Sequence, residues 1–288
     1  MEATNKGLKM KKLNPVPKLK NFATGQSIRL SEKTIEKSET ANTFFSGIGD
    51  VTLFLKRIFK ETFSRDFEFK EFLRQCYHIG NKSLPLIALT GAIMGLVFTI
   101  QSRPALAKFG AVNMLPGMVA VSMIREIGPI ITALICAGKI GSGMGAELGS
   151  MKVTEQIDAM EVSATSPVRY LVVPRVLAAI FMIPILVLFA DAFGMFGSWI
   201  GINMKGDVNF SLYFYQAFAS VSFGDFIPAL VKTFFFGAVI GLVGCYKGFT
   251  AGRGTESVGI AANSAVVVAS LLVIVVDMIA VQITDLLT

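Results

Sequence analysis

The sequence predicts an all-α integral membrane protein: an N-terminal interfacial amphipathic helix followed by five transmembrane helices, N-terminus cytoplasmic and C-terminus on the outer side. Three observations carry that expectation. Charged residues make up 16% of the chain and the hydrophobic set 53%, whereas a soluble domain carries about 25% charge. Five stretches each offer the roughly 20 apolar residues that one crossing needs. The charge is also lopsided: residues 1–82 hold 16 of the 27 Lys/Arg and 9 of the 20 Asp/Glu, and the other 206 residues hold 11 of each sign.

Residues 1–43 are rich in Lys, Asn, Thr and Ser and are expected to form a disordered basic tail. They lack the apolar core of a secretory signal. With Glu32, Glu36, Glu39 and an excess of Lys, they are unlike an acid-poor, Arg-rich transit peptide. Anionic lipid suits such a tail better than nucleic acid, because no aromatic-basic platform accompanies it. Residues 44–82 form the expected interfacial region. Phe44, Phe45, Leu55, Phe59, Phe63, Phe72 and Leu73 fall near helical spacing, with Lys56, Arg57, Lys60, Arg65, Lys70 and Arg74 between them. That pattern is too charged to span and suits a helix in the interface plane. Packing on a soluble partner is the alternative.

The five-span domain covers 83–288. Its expected crossings are 83–102, 112–138, 176–204, 226–246 and 260–286. Lys and Arg concentrate in cytoplasmic loops. With the N-terminus inside, the cytoplasmic side holds 22 of them and the outer side only Arg103, Lys108 and Lys205. Five crossings then put the C-terminus outside. The outer loop 205–225 is aromatic and nearly uncharged, as for a short helix at headgroup level. Small-residue pairs at Gly141/Gly145/Gly149, Gly197/Gly201 and Gly237/Gly241 permit close helix approach, within the fold or between subunits.

Several chemistries are poorly supported. Cys76, Cys136 and Cys245 have no metal spacing, and His78 is the one histidine, so a zinc site or a membrane-embedded Ser-His dyad is not expected. The fragment Ala137-Gly138-Lys139-Ile140 lacks the upstream Gly and the Ser/Thr of a phosphate loop. The chain is therefore expected to be no enzyme by itself and to bind no cofactor or metal.

What remains is a set of ionisable residues at membrane depth, where each is costly. Arg125 and Glu126 sit side by side midway along the second crossing, before Gly128-Pro129. They are read either as a buried charge network fixing helix register or as part of a polar, headgroup-sized cavity. Asp191, Lys232 and Asp277 form an expected intramembrane charge network. Lys232 is near enough to the outer end to snorkel, and Asp277 is placed to pair with Lys232 or Arg125. Between the second and third crossings, Val153, Ile157 and Met160 make an apolar stripe at i, i+4, i+7, with Glu155, Asp158 and Glu161 on other faces. A helix of this kind fits a partner groove, or else is an ordinary connector on the membrane side.

At these residues the sequence resembles a known family. Arg125-Glu126-Ile127-Gly128-Pro129, Ala137-Gly138-Lys139-Ile140-Gly141-Ser142, Ala146-Glu147-Leu148-Gly149 and the run Met151–Met160, closing with Pro167 and Pro174-Arg175, look like the MlaE-type permeases of ABC transporters that work with Mce-domain proteins. The likeness extends over roughly residues 50–288. It implies a homodimer in a bacterial inner membrane, gripped by two cytoplasmic ABC ATPase subunits that use ATP and Mg. A periplasmic ring of single-span Mce proteins and a phospholipid cargo moving between inner and outer membranes complete the implied assembly. The implied coupling helix maps onto about 147–161, with Glu147, Lys152, Glu155, Asp158 and Glu161 as its contacts. The implied lipid cavity maps onto Val97, Ile100 and Gln101, with Arg125 and Glu126 near it. The alternative function is an ion- or proton-coupled secondary transporter with Glu126 and Asp277 as relay groups. Five crossings without an inverted repeat speak against that class.

Overall fold

The computed structural model describes residues 49–63, 67–204, 206 and 208–287. The expected tail 1–43, and Phe44 and Phe45 of the interfacial stripe, lie outside the described residues. The chain divides into two compact units, Met1–Leu53 and Phe54–Thr288. In the first, residues 49–53 are helical. The second is built from helix α1 (54–62), α2 (Phe69–Lys108), α3 (Leu115–Ser122), α4 (Gly128–Cys136), α5 (Ser142–Val153), α6 (Gln156–Val162), α7 (Val173–Asn203), α8 (Phe210–Ser220), α9 (Phe223–Phe249) and α10 (Thr255–Leu287). No strand occurs among the described residues.

Among the described residues, five helical runs are long and apolar enough to cross a membrane: Phe69–Lys108, Val112–Val153, Val168–Asn203, Phe223–Phe249 and Thr255–Leu286. Four of them contain an expected crossing and overshoot it at one end or both, and the third starts before the expected 176–204 but ends one residue short of it, at Asn203. The second joins α3, α4 and α5 through π turns at Met123–Ile127 and Ala137–Gly141, and a third π turn, Val168–Val172, leads into α7. A π turn inserts one residue into the helical repeat, so it rotates the next segment without ending the helix.

α2 packs on α7, α7 on α9, and α9 on α10, while α3, α4 and α5 lie under α8, α7 and α10 respectively. The α2–α7 seam is the tightest. A Cβ added to Gly95 would lie 1.8 Å from the Gly194 carbonyl oxygen, so the two backbones touch where only glycine fits. Thr99 Oγ1 and Ser198 Oγ share a buried hydrogen bond of 2.6 Å one turn further on. The Gly197/Gly201 pair therefore serves packing inside the fold. Gly237 does the same between α9 and α7, since its Cβ would meet the Ala179 carbonyl oxygen at 2.6 Å.

Two expectations are corrected here. The interfacial region is not one helix, because Phe72 and Leu73 belong to α2. Forty helical residues rise about 60 Å, twice the roughly 30 Å of hydrocarbon, so α2 extends well beyond the bilayer core. Glu71 supports that extension by accepting from Gln75 Nε2 at 2.8 Å and pairing with Arg74 at 3.4 Å. α1 turns Phe54 and Ile58 into the bundle, with Phe54 against Tyr246 and Phe249, and leaves Phe59 and Phe63 exposed.

The segment 147–161 is likewise two pieces. α5 carries the second crossing out to Val153, and the chain breaks at Glu155, which takes a left-handed φ of 59°. The Thr154 hydroxyl donates back to the Ser150 carbonyl at 2.8 Å, helping to close the first helix. α6 then seats Ile157, fully buried, and Met160 against the protein's own core. Two of the three residues of the stripe expected for a partner groove, Ile157 and Met160, are thus used internally. The face left to solvent carries Glu155, Asp158, Glu161 and Val162.

Candidate functional site

The π turn Met123–Ile127 brings Arg125 and Glu126 to bear on α9 and α10. Glu126 Oε2 accepts from Lys232 Nζ at 2.7 Å, and the same ammonium stands 2.9 Å from Asp277 Oδ1. The second contact is an ion pair without hydrogen-bond alignment, since Asp277 Oδ1 has no hydrogen-bond partner. Arg125 Nη1 lies 3.7 Å from Asp225 Oδ1. Arg125, Glu126, Asp225 and Lys232, with Gly224, Pro228, Ala229, Val281 and Thr284, line one narrow recess, and Asp277 joins the cluster through Lys232 without lining it. Burial grades across the charged cluster: the Lys232 side chain is 5% exposed, Asp277 12%, Glu126 39% and Arg125 41%. A buried ammonium thus holds two carboxylates, and the guanidinium sits at the wetter rim.

Three crossings must fold together to make this recess. Glu126 arrives from the second, Lys232 from the fourth and Asp277 from the fifth. Lys232 does not snorkel. Its position on α9 points it into the bundle, where two carboxylates compensate its burial. The expected Asp277–Lys232 pairing is found. Asp191 is a correction: it does not join Lys232 and Asp277. It is buried on α7 against Gly128, with no hydrogen-bond or ion-pair partner for its Oδ1. Its neighbourhood is an apolar cavity of about 330 Å³.

Asp225 was not among the residues singled out from sequence. Its signal was legible, because Ser222-Phe223-Gly224-Asp225 has capping-box spacing at the start of a helix. Ser222 Oγ donates to Asp225 Oδ2 at 2.7 Å, and the Asp225 amide donates back to Ser222 Oγ at 3.3 Å. The cap fixes the carboxylate at the rim facing Arg125.

The remaining sequence-derived residues lie elsewhere. Val97 is half-buried, and Ile100 and Gln101 are exposed, all on α2. None of the three lines the recess. On the other side of the bundle, Glu147 Oε1 accepts from Arg175 Nη2 at 2.8 Å, and Arg175, nearly enclosed, also donates to the Leu171 carbonyl. Lys152 Nζ pairs with Asp158 Oδ1 at 2.6 Å across the break at Glu155. Arg169 and Glu61 tie α1 to the same surface at 2.8 Å. No group of three His, Cys, Asp or Glu placed to hold a metal occurs among the described residues.

Comparison with known proteins places this geometry. The family model described as permease MlaE matches residues 72–283. A probable ABC transporter permease protein of Rickettsia typhi is 40% identical over 203 residues, 70% of this chain and 78% of that protein. A probable ABC transporter permease protein of Synechocystis is 34% identical over 203 residues, 70% of this chain and 77% of that protein. The chloroplastic protein trigalactosyldiacylglycerol 1 of Arabidopsis thaliana is 33% identical over 205 residues, 71% of this chain and 59% of that protein. The match takes in α2 through α10, with Glu126, Lys232 and Asp277 all inside it, and the chain belongs to the MlaE family of ABC transporter permeases.

Proposed function

We propose that this chain is the membrane subunit of an ATP-driven transporter that moves phospholipid between the inner and outer membranes of a bacterium, together with Mce-domain proteins. The observation that carries the lipid reading is the recess at Arg125, Glu126 and Lys232. Fixed charges of both signs at membrane depth, beside the exposed apolar face of α10 at Leu271, Ile274, Met278 and Ile279, suit an amphiphile with a charged head and apolar tails. Arg125, partly exposed at the rim, is the group available to a phosphate. The name of the Arabidopsis relative, which is that of a diacylglycerol lipid, is in keeping with a lipid cargo.

ATP hydrolysis is assigned to two separate cytoplasmic subunits, which supply the ATP and Mg chemistry; this chain holds no phosphate loop in its sequence. Their docking face is the surface around α5 and α6, where Glu155, Asp158 and Glu161 are exposed. The Lys/Arg count supports a cytoplasmic location for that face. α2 and α10 lie at opposite edges of the packing order and both keep large apolar side chains exposed. A homodimer in which α2 of one copy approaches α10 of the other would cover these faces and bring Val97, Ile100 and Gln101 toward a shared cavity.

The test is a mild-detergent purification of the tagged chain from its native membrane, with mass spectrometry of all retained protein and lipid. The expected result is a P-loop ATPase and a single-span Mce protein in comparable amounts, with phospholipid that Arg125→Ala reduces. A homo-oligomer retaining neither partner would overturn the proposal. Activity that collapsed with the proton gradient would favour the relay reading of Glu126 and Asp277.

A further inference from the structure

The cavity of about 330 Å³ lies apart from the charged recess, between the second and third crossings and the α8–α9 junction. Its walls are apolar, among them Ile124, Leu188, Met195, Phe218 and Phe226, and no Lys or Arg lines it. Two polar residues do. Ser222 gives its hydroxyl proton to Asp225. Asp191 is the other, only 6% exposed. Its Oδ1 is enclosed against Gly128, where even a Cβ would intrude to 1.8 Å, and its carboxyl is part of the cavity lining.

A carboxyl at membrane depth is normally paired. Here no cationic partner is supplied by the cavity lining, and the buried Lys232 is committed to Glu126 and Asp277. We propose that the cavity binds a lipid whose uncharged headgroup carries a hydroxyl, which donates to Asp191 while the acyl portion fills the apolar walls. The chemistry of the lining selects that class. A phosphate would enter without a cation to meet it and beside a carboxyl. A zwitterionic head would satisfy Asp191 with its ammonium but leave its phosphate stranded. A neutral hydroxyl needs only an acceptor, and it brings no charge for the apolar walls to strand. The assignment concerns this cavity alone and does not rest on the transporter reading.

Trp199 makes the site observable. It is the sole tryptophan, and it stands one helical turn from Met195 in the cavity wall. The full chain is reconstituted in dioleoylphosphatidylcholine vesicles, and Trp199 fluorescence is titrated with diacylglycerol or phosphatidylcholine brominated on the acyl chains. Diacylglycerol is expected to quench at about one third or less of the mole fraction that phosphatidylcholine requires, the preference one net hydrogen bond supplies. Asp191→Leu should abolish that preference, and Asp191→Asn, which keeps an acceptor oxygen, should retain it. Ala192→Phe, which fills the cavity from its lining, should abolish it with Asp191 intact, and decides the matter if Asp191→Leu does not reconstitute. Equal quenching by the two lipids, a preference that survives Asp191→Leu and Ala192→Phe, or brominated phosphatidylethanolamine matching diacylglycerol would overturn the assignment. Because the readout is occupancy, such a failure leaves the transporter reading standing.

Discussion

Lys232→Met isolates the shared ammonium at the centre of the recess. Methionine approximates the length and volume of the lysine stem, so packing is nearly preserved and the change is electrostatic. Two carboxylates lose their counter-charge, Glu126 at 2.7 Å and Asp277 at 2.9 Å. Deleting one partner of a buried ion pair costs about 3–5 kcal/mol, because the other charge is left stranded. The two carboxylates do not share that cost evenly. Glu126 is 39% exposed, and solvent screening limits its part to about 1 kcal/mol or less. Asp277 is 12% exposed and bears the rest, which puts the total near 3 kcal/mol at the lower end of the range. Neutralising the stranded group should reverse most of it, so Asp277→Asn added to Lys232→Met is expected to be more stable than Lys232→Met alone, by about 2 kcal/mol. Equilibrium unfolding in mixed micelles, followed by Trp199 fluorescence, measures both. A Lys232→Met protein within about 0.5 kcal/mol of the parent, the level expected of a surface substitution, or a double variant less stable than the single one, would refute the shared-ammonium account.

Three further outcomes are expected from the geometry. Gly95→Ala should destabilise by about 3 kcal/mol, the upper part of the overpacking range, because its Cβ would strike the Gly194 backbone at 1.8 Å and nothing there can swing aside. Gly143→Ala, on an exposed face of α5 with nothing within 4 Å, should instead stabilise by about 0.5–1 kcal/mol, and the same unfolding assay compares the two. Glu155→Gly relieves the left-handed backbone at the α5–α6 break and should add about 1 kcal/mol, whereas Glu155→Val should remove at least as much. Asp158→Lys sets like charges against Lys152 across a 2.6 Å contact and reverses an exposed acidic position. It should release the ATPase in a pull-down without changing the unfolding midpoint measurably, and an unchanged ATPase yield would count against docking at this face.

The crossings were legible because each needs only a long apolar run, and periodicity plus length is enough to find one. The pairing of Asp277 with Lys232 was legible for a related reason: two opposite charges at similar depth in adjacent crossings have few other places to go. What sequence could not show is where a run stops when nothing in it breaks a helix. Residues 69–82 look interfacial by composition, yet they hold no Pro, and the helix runs through the buried Gly80 and continues as α2. The converse holds at 147–161, where the stripe of Val153, Ile157 and Met160 implies one helix. The left-handed turn at Glu155 divides it at a residue type that gives no warning. Asp191 shows a third limit. Burial at membrane depth argued for a partner, but whether one is within reach depends on the rotation of α7, and that is set by glycine contacts with α2 along the whole seam.

The three π turns show how the charged sites depend on helix phase rather than on helix position. Each carries ionisable residues: Arg125 and Glu126 in the first, Lys139 in the second and Arg169 in the third. Each of these side chains reaches a residue far away in sequence. Glu126 meets Lys232, Arg125 meets Asp225, Lys139 donates to the Lys82 carbonyl, and Arg169 meets Glu61. An uninterrupted α-helix repeats every 3.6 residues, so the apolar face that packs the second crossing would fix where Arg125 and Glu126 point. One inserted residue decouples the two demands, as π turns at functional sites commonly do. The segments before and after the turn each keep their apolar face on the bundle, while the turn itself presents its charges in a different direction. Gly128 and Pro129 come immediately after it, and the bare Cα of Gly128 is what admits the Asp191 carboxyl. The same short segment thus aims Arg125 and Glu126 into the charged recess and sends Ile124 into the apolar cavity. A change of phase there would disturb both sites at once, even though they share no lining residue.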